Sequence, residues 1–266
     1  MLTKILLFPV IAAALIGAVF SGSAGRQKLP VITYHDTVAA EDAANYKGNP
    51  YVVAADEFQA QMQYLHENGY STVTVGQLYG FLYRAEPLPP KSVMITFDDG
   101  YEGNYLYAYP ILKKYGMHAV MFLITAYVKD SDQVYDRKGA TSLSWGQIGA
   151  MKDVFEFASH TDNLHKITGN KSELTQVPLP TAQADITASL SKLQTKDIFC
   201  FPFGQHNAKL DKLLRQDGVK MAFGTVENYV TARSGVYALP RFTISPDTGA
   251  RVFDRIVACT YKPSNK

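Results

Sequence analysis

Short apolar runs alternate along this chain with stretches whose apolar positions recur at helical spacing, a pattern that predicts strands and helices in turn. Leu29 to Tyr34 is a β-branched run of strand type. In Ala55 to Asn68 the residues Phe58, Met62 and Leu65 share one helical face, and Gly69 supplies the stop. Ser71 to Val75 reads as a second strand and Val75 to Tyr83 as a second helix, followed by a connector stiffened by Pro87, Pro89 and Pro90. Ser92 to Phe97 is apolar or β-branched after its first residue, as a strand buried on both faces of a parallel sheet must be. Asn104 to Tyr115 is helical through Leu106, Tyr109 and Leu112, although Pro110 demands a kink or a later start. His118 to Ile124 is the next strand, Ser144 the N-cap of a helix beginning at Trp145, and Val154 to Ala158 a strand again. The polar stretches Ala39 to Pro50 and Lys129 to Thr141 read as loops, the first of them over the mouth. Such alternation implies parallel pairing with right-handed crossovers, an α/β fold.

Three of these strands run directly into chemistry-bearing residues. The central strand ends in Asp98-Asp99-Gly100-Tyr101, the first strand in His35-Asp36, and the strand Val154 to Ala158 in Ser159-His160-Thr161-Asp162-Asn163-Leu164-His165. In parallel sheets and β/α barrels the loops leaving the C-terminal strand ends converge on one crevice, so all three groups are placed where ligands bind. Adjacent acids at a strand end point apart, which lets one ligate a metal while the other takes a proton. A plain turn also accounts for Asp-Asp-Gly. His160 and His165 would sit about 140° apart on a helix, so a strand end and its turn must present them. With a carboxylate they make the three-ligand open site of a catalytic divalent ion. His35 alone is equally well explained as a satisfied core or surface histidine.

Composition adds the compartment and removes one class of function. Lys4 is followed by the uncharged run Ile5 to Phe20 and the small residues Ser21-Gly22-Ser23-Ala24, the layout of a secretory signal over residues 1–24. The run is short for a membrane span, so an uncleaved N-terminal anchor is the lesser alternative. The chain is 47% hydrophobic and 19% charged, which suits one large domain over residues 29–266. A net charge of +2 without a basic stripe argues against nucleic acid. Cys200 and Cys259 make no disulfide framework, though an exported chain could pair them.

The segments T-F-D-D-G-Y (96–101), S-H-T-D-N-L-H (159–165), F-P-F-G-Q-H-N (201–207) and L-P-R-F (239–242) together resemble the motif series of polysaccharide deacetylases, the carbohydrate esterases with the NodB-type domain. The resemblance implies a distorted (β/α) barrel, Asp98 as catalytic base, and Asp99, His160 and His165 as ligands of a divalent ion, zinc foremost, with cobalt or nickel as alternatives. Two departures stand out. Cys200 occupies the place where the third motif usually has arginine, and no histidine follows His206 to serve as the family's C-terminal general acid. Val31-Ile32-Thr33-Tyr34-His35-Asp36 is similar to the N-terminal segment of the poly-β-1,6-N-acetylglucosamine deacetylases of biofilms, in which the barrel is circularly permuted. That likeness makes His35 the general acid and Arg241 the residue that orients Asp98.

The implied reaction removes acetyl groups from an extracellular N-acetylglucosamine polysaccharide, at the cell surface or in the secreted space, by a monomeric enzyme. Asp98 would deprotonate the attacking water, the backbone N–H of Tyr101 would help hold the oxyanion, and His35 would protonate the leaving amine. Tyr51 and Tyr101 could lie against sugar rings, while Asn163 and Asn207 could bond sugar hydroxyls or simply stabilise turns. His206 is expected to open the helix that runs to Asp217. Peptidoglycan or chitin-type glycans, or a barrel that binds sugar without catalysis, are the competing readings.

Overall fold

A computed structural model describes residues 25–263, so the leader expected over residues 1–24 lies outside the described residues. The strands are β1 (Val31–Tyr34), β2 (Asp36–Val38), β3 (Val52–Ala54), β4 (Ser71–Thr72), β5 (Ser92–Asp99), β6 (Ala119–Leu123) and β7 (Phe155–Ser159) in the first part of the chain. The second part adds β8 (Ile167–Thr168), β9 (Lys171–Ser172), β10 (Ile198–Cys200), β11 (Met221–Phe223), β12 (Tyr237–Leu239) and β13 (Phe242–Thr243). Nine of them form one parallel sheet in the order β12, β11, β10, β7, β6, β5, β1, β13, with β4 beside the start of β5. The β2–β3 pair and the antiparallel β8–β9 hairpin stand apart.

The connectivity forces this sheet to close. Only Pro240 and Arg241 separate β12 from β13, which lie at opposite edges of the strand order. Three Cα steps span about 11 Å at most, so the sheet curls until its edges meet. The seam is sealed by an antiparallel bridge between Leu29 and Val230, with N–H to carbonyl distances of 2.8 and 3.0 Å, and by the Arg241 N–H bonded to the Val226 carbonyl at 3.1 Å. The result is a barrel with an irregular seam.

Period-two alternation sends the residues of β5 to opposite faces of the sheet. Val93, Ile95 and Phe97 of β5 face outward onto Phe58, Met62 and Leu65 of the helix Ala55–Glu67 and onto Phe253 of the helix Ala250–Val257. Met94 faces the barrel interior together with Val31, Val120, Phe122, Ala158, Ile198, Cys200, Phe223 and Leu239. The helix Val75–Arg84 sends Leu78 and Phe81 into that interior from the end where the strands begin, tied by Val75 N–H to Glu156 and by the Tyr83 hydroxyl to the Lys220 carbonyl. One mouth is thereby stoppered, and access is left at the C-terminal strand ends.

Several expected elements change in detail. The strand predicted from Ser71 to Val75 ends at Thr72, because Thr74 caps the next helix in a reciprocal box with Gln77. Ser144 and Gln147 form the same box ahead of Trp145–Ala150, as expected of Ser144. The segment predicted as a loop from Ala39 to Pro50 contains a 3-10 helix at Ala40–Tyr46. The kink or later start that Pro110 demands over 104–115 takes the form of a wide π-turn at Asn104–Ala108 that leads into the α-helix Tyr109–Lys114, with Pro110 in the first turn of the latter. Asn207, not His206, opens the helix Ala208–Gln216, its side-chain oxygen accepting from the Lys209 and Leu210 N–H groups at 3.0 and 3.1 Å. Cys200 and Cys259 are unpaired.

Gly103 is a tight point of this framework, since a Cβ there would collide with the Thr37 carbonyl oxygen and the Asp36 carboxylate. Gly103→Ala is therefore expected to destabilise the fold by roughly 1–3 kcal/mol in urea unfolding. Gly149→Ala, on a helix with open space at the added methyl, should stabilise it by about 0.5–1 kcal/mol.

Candidate active site and metal centre

Asp98 ends the inward-facing row of β5, and alternation would turn Asp99 outward to the helices. The chain avoids this with a three-residue turn in which the Gly100 N–H bonds the Asp98 carbonyl at 3.0 Å and Asp99 takes φ +73°. A non-glycine residue at positive φ is strained, and here the strain re-aims a carboxylate into the barrel mouth. Gly100 follows at φ +82° with its missing side chain against Leu123. The expectation that the two acids point differently is thus met by a turn and not by the pleat.

Asp98 is buried and held in a two-pronged pair with Arg241, Nη1 to Oδ1 at 2.8 Å and Nη2 to Oδ2 at 2.7 Å. The remaining guanidinium hydrogens go to Thr33, Thr96, the Gly224 carbonyl and the Cys200 sulfur, at 3.0 to 3.3 Å. The guanidinium also lies over the rings of Phe122 and Phe223, at 5.7 and 5.4 Å. Burial pushes the Asp98 carboxyl up, but the charge and hydrogen bonds of Arg241, aided by His160 and His35, outweigh it and hold the group well below the usual carboxylate range. Arg241 meets Asp98 as the resemblance implies. Cys200 is buried beside this pair, and burial raises its thiol, which keeps it protonated.

Asp99, His160 and His165 converge, each offering one ligand atom within 4.8 Å of the others. His160 Nδ1 donates to the Cys200 carbonyl at 2.8 Å, which fixes the tautomer and leaves the Nε2 lone pair facing Asp99 and His165. The two Nε2 atoms lie 3.1 Å apart and 3.6 and 3.5 Å from Asp99 Oδ1. Burial, and then His165, push His160 down to about 3; burial lowers His165 as well, so the surroundings favour the neutral form of both rings. Burial raises Asp99 to about 6, and its Oδ1 has no hydrogen-bond partner among the described residues. Two neutral imidazoles and an unpartnered buried carboxylate oxygen facing one point are the donor set of a divalent cation, so the residues present fit a metal.

His35 follows β1, which pairs with β5, and it lines the same cavity of about 450 Å³ as Asp98, Asp99, Tyr101, His160, His165 and Arg241. Its ring rests 4.6 Å from that of Tyr51, and its buried Nδ1 lacks a partner among the described residues. Tyr51 lines the cavity and is half exposed. Asn207 and Asn163 are not brought in: the first is a helix cap, and neither lines the cavity. His206 pairs with Asp211 at 2.9 Å, outside it. Two contributors went unforeseen. Phe203, at φ +57°, sets its ring 4.5 Å from His165. Asn104, buried in the π-turn, donates to the His35 carbonyl at 2.7 Å and accepts from the Thr37 hydroxyl at 3.1 Å. Its place five residues after Asp99 was the available signal, and the π-turn that aims it was not legible.

Residues 85–222 match the family described as Polysaccharide deacetylase. A polysaccharide deacetylase of Bacillus subtilis, YxkH, is 32% identical over 232 residues, 85% of this chain and 75% of that one. The poly-β-1,6-N-acetyl-D-glucosamine N-deacetylase of Staphylococcus aureus is 30% identical over 219 residues, 77% of this chain and 72% of that one. Among solved structures, the Streptococcus pyogenes deacetylase PplD in complex with acetate superposes with a TM-score of 0.73 at 27% identity, covering 89% of this chain and 99% of that one.

The Asp98–Arg241 pair yields a sign for pH dependence. A carboxyl held low contributes stability that is complete above its unfolded value near 3.8 and is lost only as pH falls through the depressed value. Arg241→Lys keeps the charge but not the fork, so the Asp98 pKa should rise and the acidic limb of kcat/KM should move to higher pH. Arg241→Ala, leaving Asp98 buried and uncompensated, should cost about 3–5 kcal/mol in denaturant unfolding.

Proposed function

The chain belongs to the polysaccharide deacetylase family, hydrolases acting on N-acetyl amides, and from that premise we propose that it N-deacetylates poly-β-1,6-N-acetyl-D-glucosamine outside the cell in a metal-dependent reaction. The observation that carries the substrate reading is His35, the only histidine in the cavity besides the two candidate ligands. It lines the cavity beside the candidate ligands, and no histidine follows His206 in the sequence to compete for the acid role. The kinship with the staphylococcal enzyme supports the same reading, and the acetate held by PplD, the acyl product of a deacetylation, supports the reaction type alone.

Asp99, His160 and His165 would hold the divalent ion. Bound there, it would supply Lewis-acid polarisation of the acetamide carbonyl and acidification of a water, so that hydroxide is accessible at neutral pH. The chain's own groups do the rest. Asp98, kept ionised by Arg241, accepts the proton of the attacking water; its depressed pKa makes it a weak base that is always available. The bridge across Tyr101 and Ser142 uses the Gly100 carbonyl and the Glu102 N–H, so the Tyr101 N–H is left out of that pairing and can donate to the developing oxyanion. His35 gives its proton to the departing amine, which stops the amine from re-adding to the acid. Tyr51, half exposed beside His35, offers a sugar ring an aromatic face. Residues 1–24 would direct export, and among the described residues no helix is long and apolar enough to cross a membrane.

Mass-spectrometric assay of acetate and free amines should show turnover of β-1,6-linked N-acetylglucosamine oligomers well above β-1,4-linked ones, abolished by chelation and restored by zinc, cobalt or nickel. Preference for β-1,4 oligomers would shift the reading to chitin-type or peptidoglycan substrates. Replacement of the candidate acid, His35→Ala, should lower kcat on the amide by roughly 10²- to 10⁴-fold with metal content unchanged. The deficit should shrink on an activated aryl acetate, whose leaving group needs no proton; an equal deficit on both substrates would remove His35 from the acid role.

A further inference from the structure

The loop that carries the two histidines has little structure of its own. Between His160 and His165, Thr161 sits at φ +79°, and the N–H groups of Asp162, Asn163 and Leu164 have no strand or helix to bond within. All three donate to a single carboxylate, that of Asp185, at 2.9 Å to Oδ1 and at 2.7 and 3.1 Å to Oδ2. Asp185 lies 20 residues downstream of His165 in sequence, on the helix Leu179–Lys192. The same helix makes two more bonds to the segment. Ser189 Oγ, fully buried, is 2.7 Å from Ser159 Oγ, which in turn accepts the Thr161 N–H at 3.2 Å. Lys192 Nζ donates to Asp162 Oδ1 at 2.6 Å, an oxygen that also accepts the Thr125 hydroxyl at 2.5 Å.

Residues 185, 189 and 192 fall at i, i+4 and i+7, one stripe of a helix whose apolar residues Ala182, Ile186 and Leu190 seat it on the barrel. A polar stripe of this kind ordinarily faces water; here it faces the histidine loop. Three convergent N–H groups need an acceptor with several lone pairs, which an ionised carboxylate supplies and a neutral amide supplies only in part.

We propose that Asp185 is a positioning residue for the metal centre: it fixes the 162–164 turn so that His160 and His165 are held in ligating geometry before any ion arrives. The inference rests on the metal reading above. Its effect is on the free energy of binding the ion and not on the chemical step, since Asp185 does not line the cavity. Without the carboxylate the loop must be ordered at the expense of metal affinity.

The test is a titration of purified metal-free protein with Co²⁺ alone, read by visible absorption against a chromophoric chelator. Asp185→Ala should weaken Co²⁺ binding by roughly 10- to 100-fold while the metal-free protein keeps its far-UV dichroism and thermal midpoint, and saturating Co²⁺ should restore kcat. Asp185→Asn, which keeps the volume, should fall between; it decides the matter if the alanine variant does not fold. Ser191→Ala, on the same helix with its hydroxyl bonded to the Ala188 carbonyl, should bind Co²⁺ as the unaltered protein does. Unchanged affinity in Asp185→Asn and Asp185→Ala, alongside a large loss in His165→Ala, overturns the positioning role and leaves the ligand set standing. Unchanged affinity in His165→Ala as well removes the ligand set itself, and the inference falls with it.

Discussion

The bidentate pair between Asp98 and Arg241 is the constraint on which the rest of the molecule depends. Both groups are buried, and a carboxylate or guanidinium taken out of water alone costs several kcal/mol, so neither residue tolerates the other's absence. Arg241 occupies the two-residue link between β12 and β13 and bonds Thr33 on β1, Thr96 on β5 and the Gly224 carbonyl after β11. A single side chain thereby joins both edges of the barrel and its centre. The same contacts set the charge state of the proposed base, which makes closure of the barrel and readiness of the site one event.

Around this pair the site divides into groups favoured in opposite states. Asp98 is held ionised by its partner, whereas Asp99, one residue on, is pushed toward neutrality by burial and faces two histidines whose surroundings favour the neutral form. Adjacent acids with divergent environments are the usual way one short segment serves two chemical roles. What separates them here is backbone: the positive φ of Asp99 puts the two carboxylates on different errands that a regular strand could not arrange.

Much of this was legible in the sequence because it depends on strand ends. Buried parallel strands announce themselves as apolar runs, and whatever polar residues follow such a run lie at the mouth; His35, Asp98, Asp99, His160 and His165 were found that way and do meet in one cavity. Arg241 came from a resemblance and not from periodicity, since nothing local to Leu239-Pro240-Arg241-Phe242 says that its side chain reaches a carboxylate 143 residues earlier. Asn207 stayed open between two readings because a cap and a sugar ligand need the same residue type, and the helix beginning at Ala208 shows the cap. Phe203 and the aim of Asn104 were hidden for another reason: each depends on an unusual backbone state, a positive φ and a π-turn, that residue preferences do not encode.

The seam also orders events in time. Arg241 pairs with a threonine 208 residues before it, among the longest sequence separations a chain of this size can bridge, and loops of that span close slowly. A growing chain that has not yet reached residue 241 has a barrel it cannot shut and an Asp98 with no countercharge. Only when that final stretch has arrived can the two edges of the sheet meet and Asp98 gain its two-pronged partner.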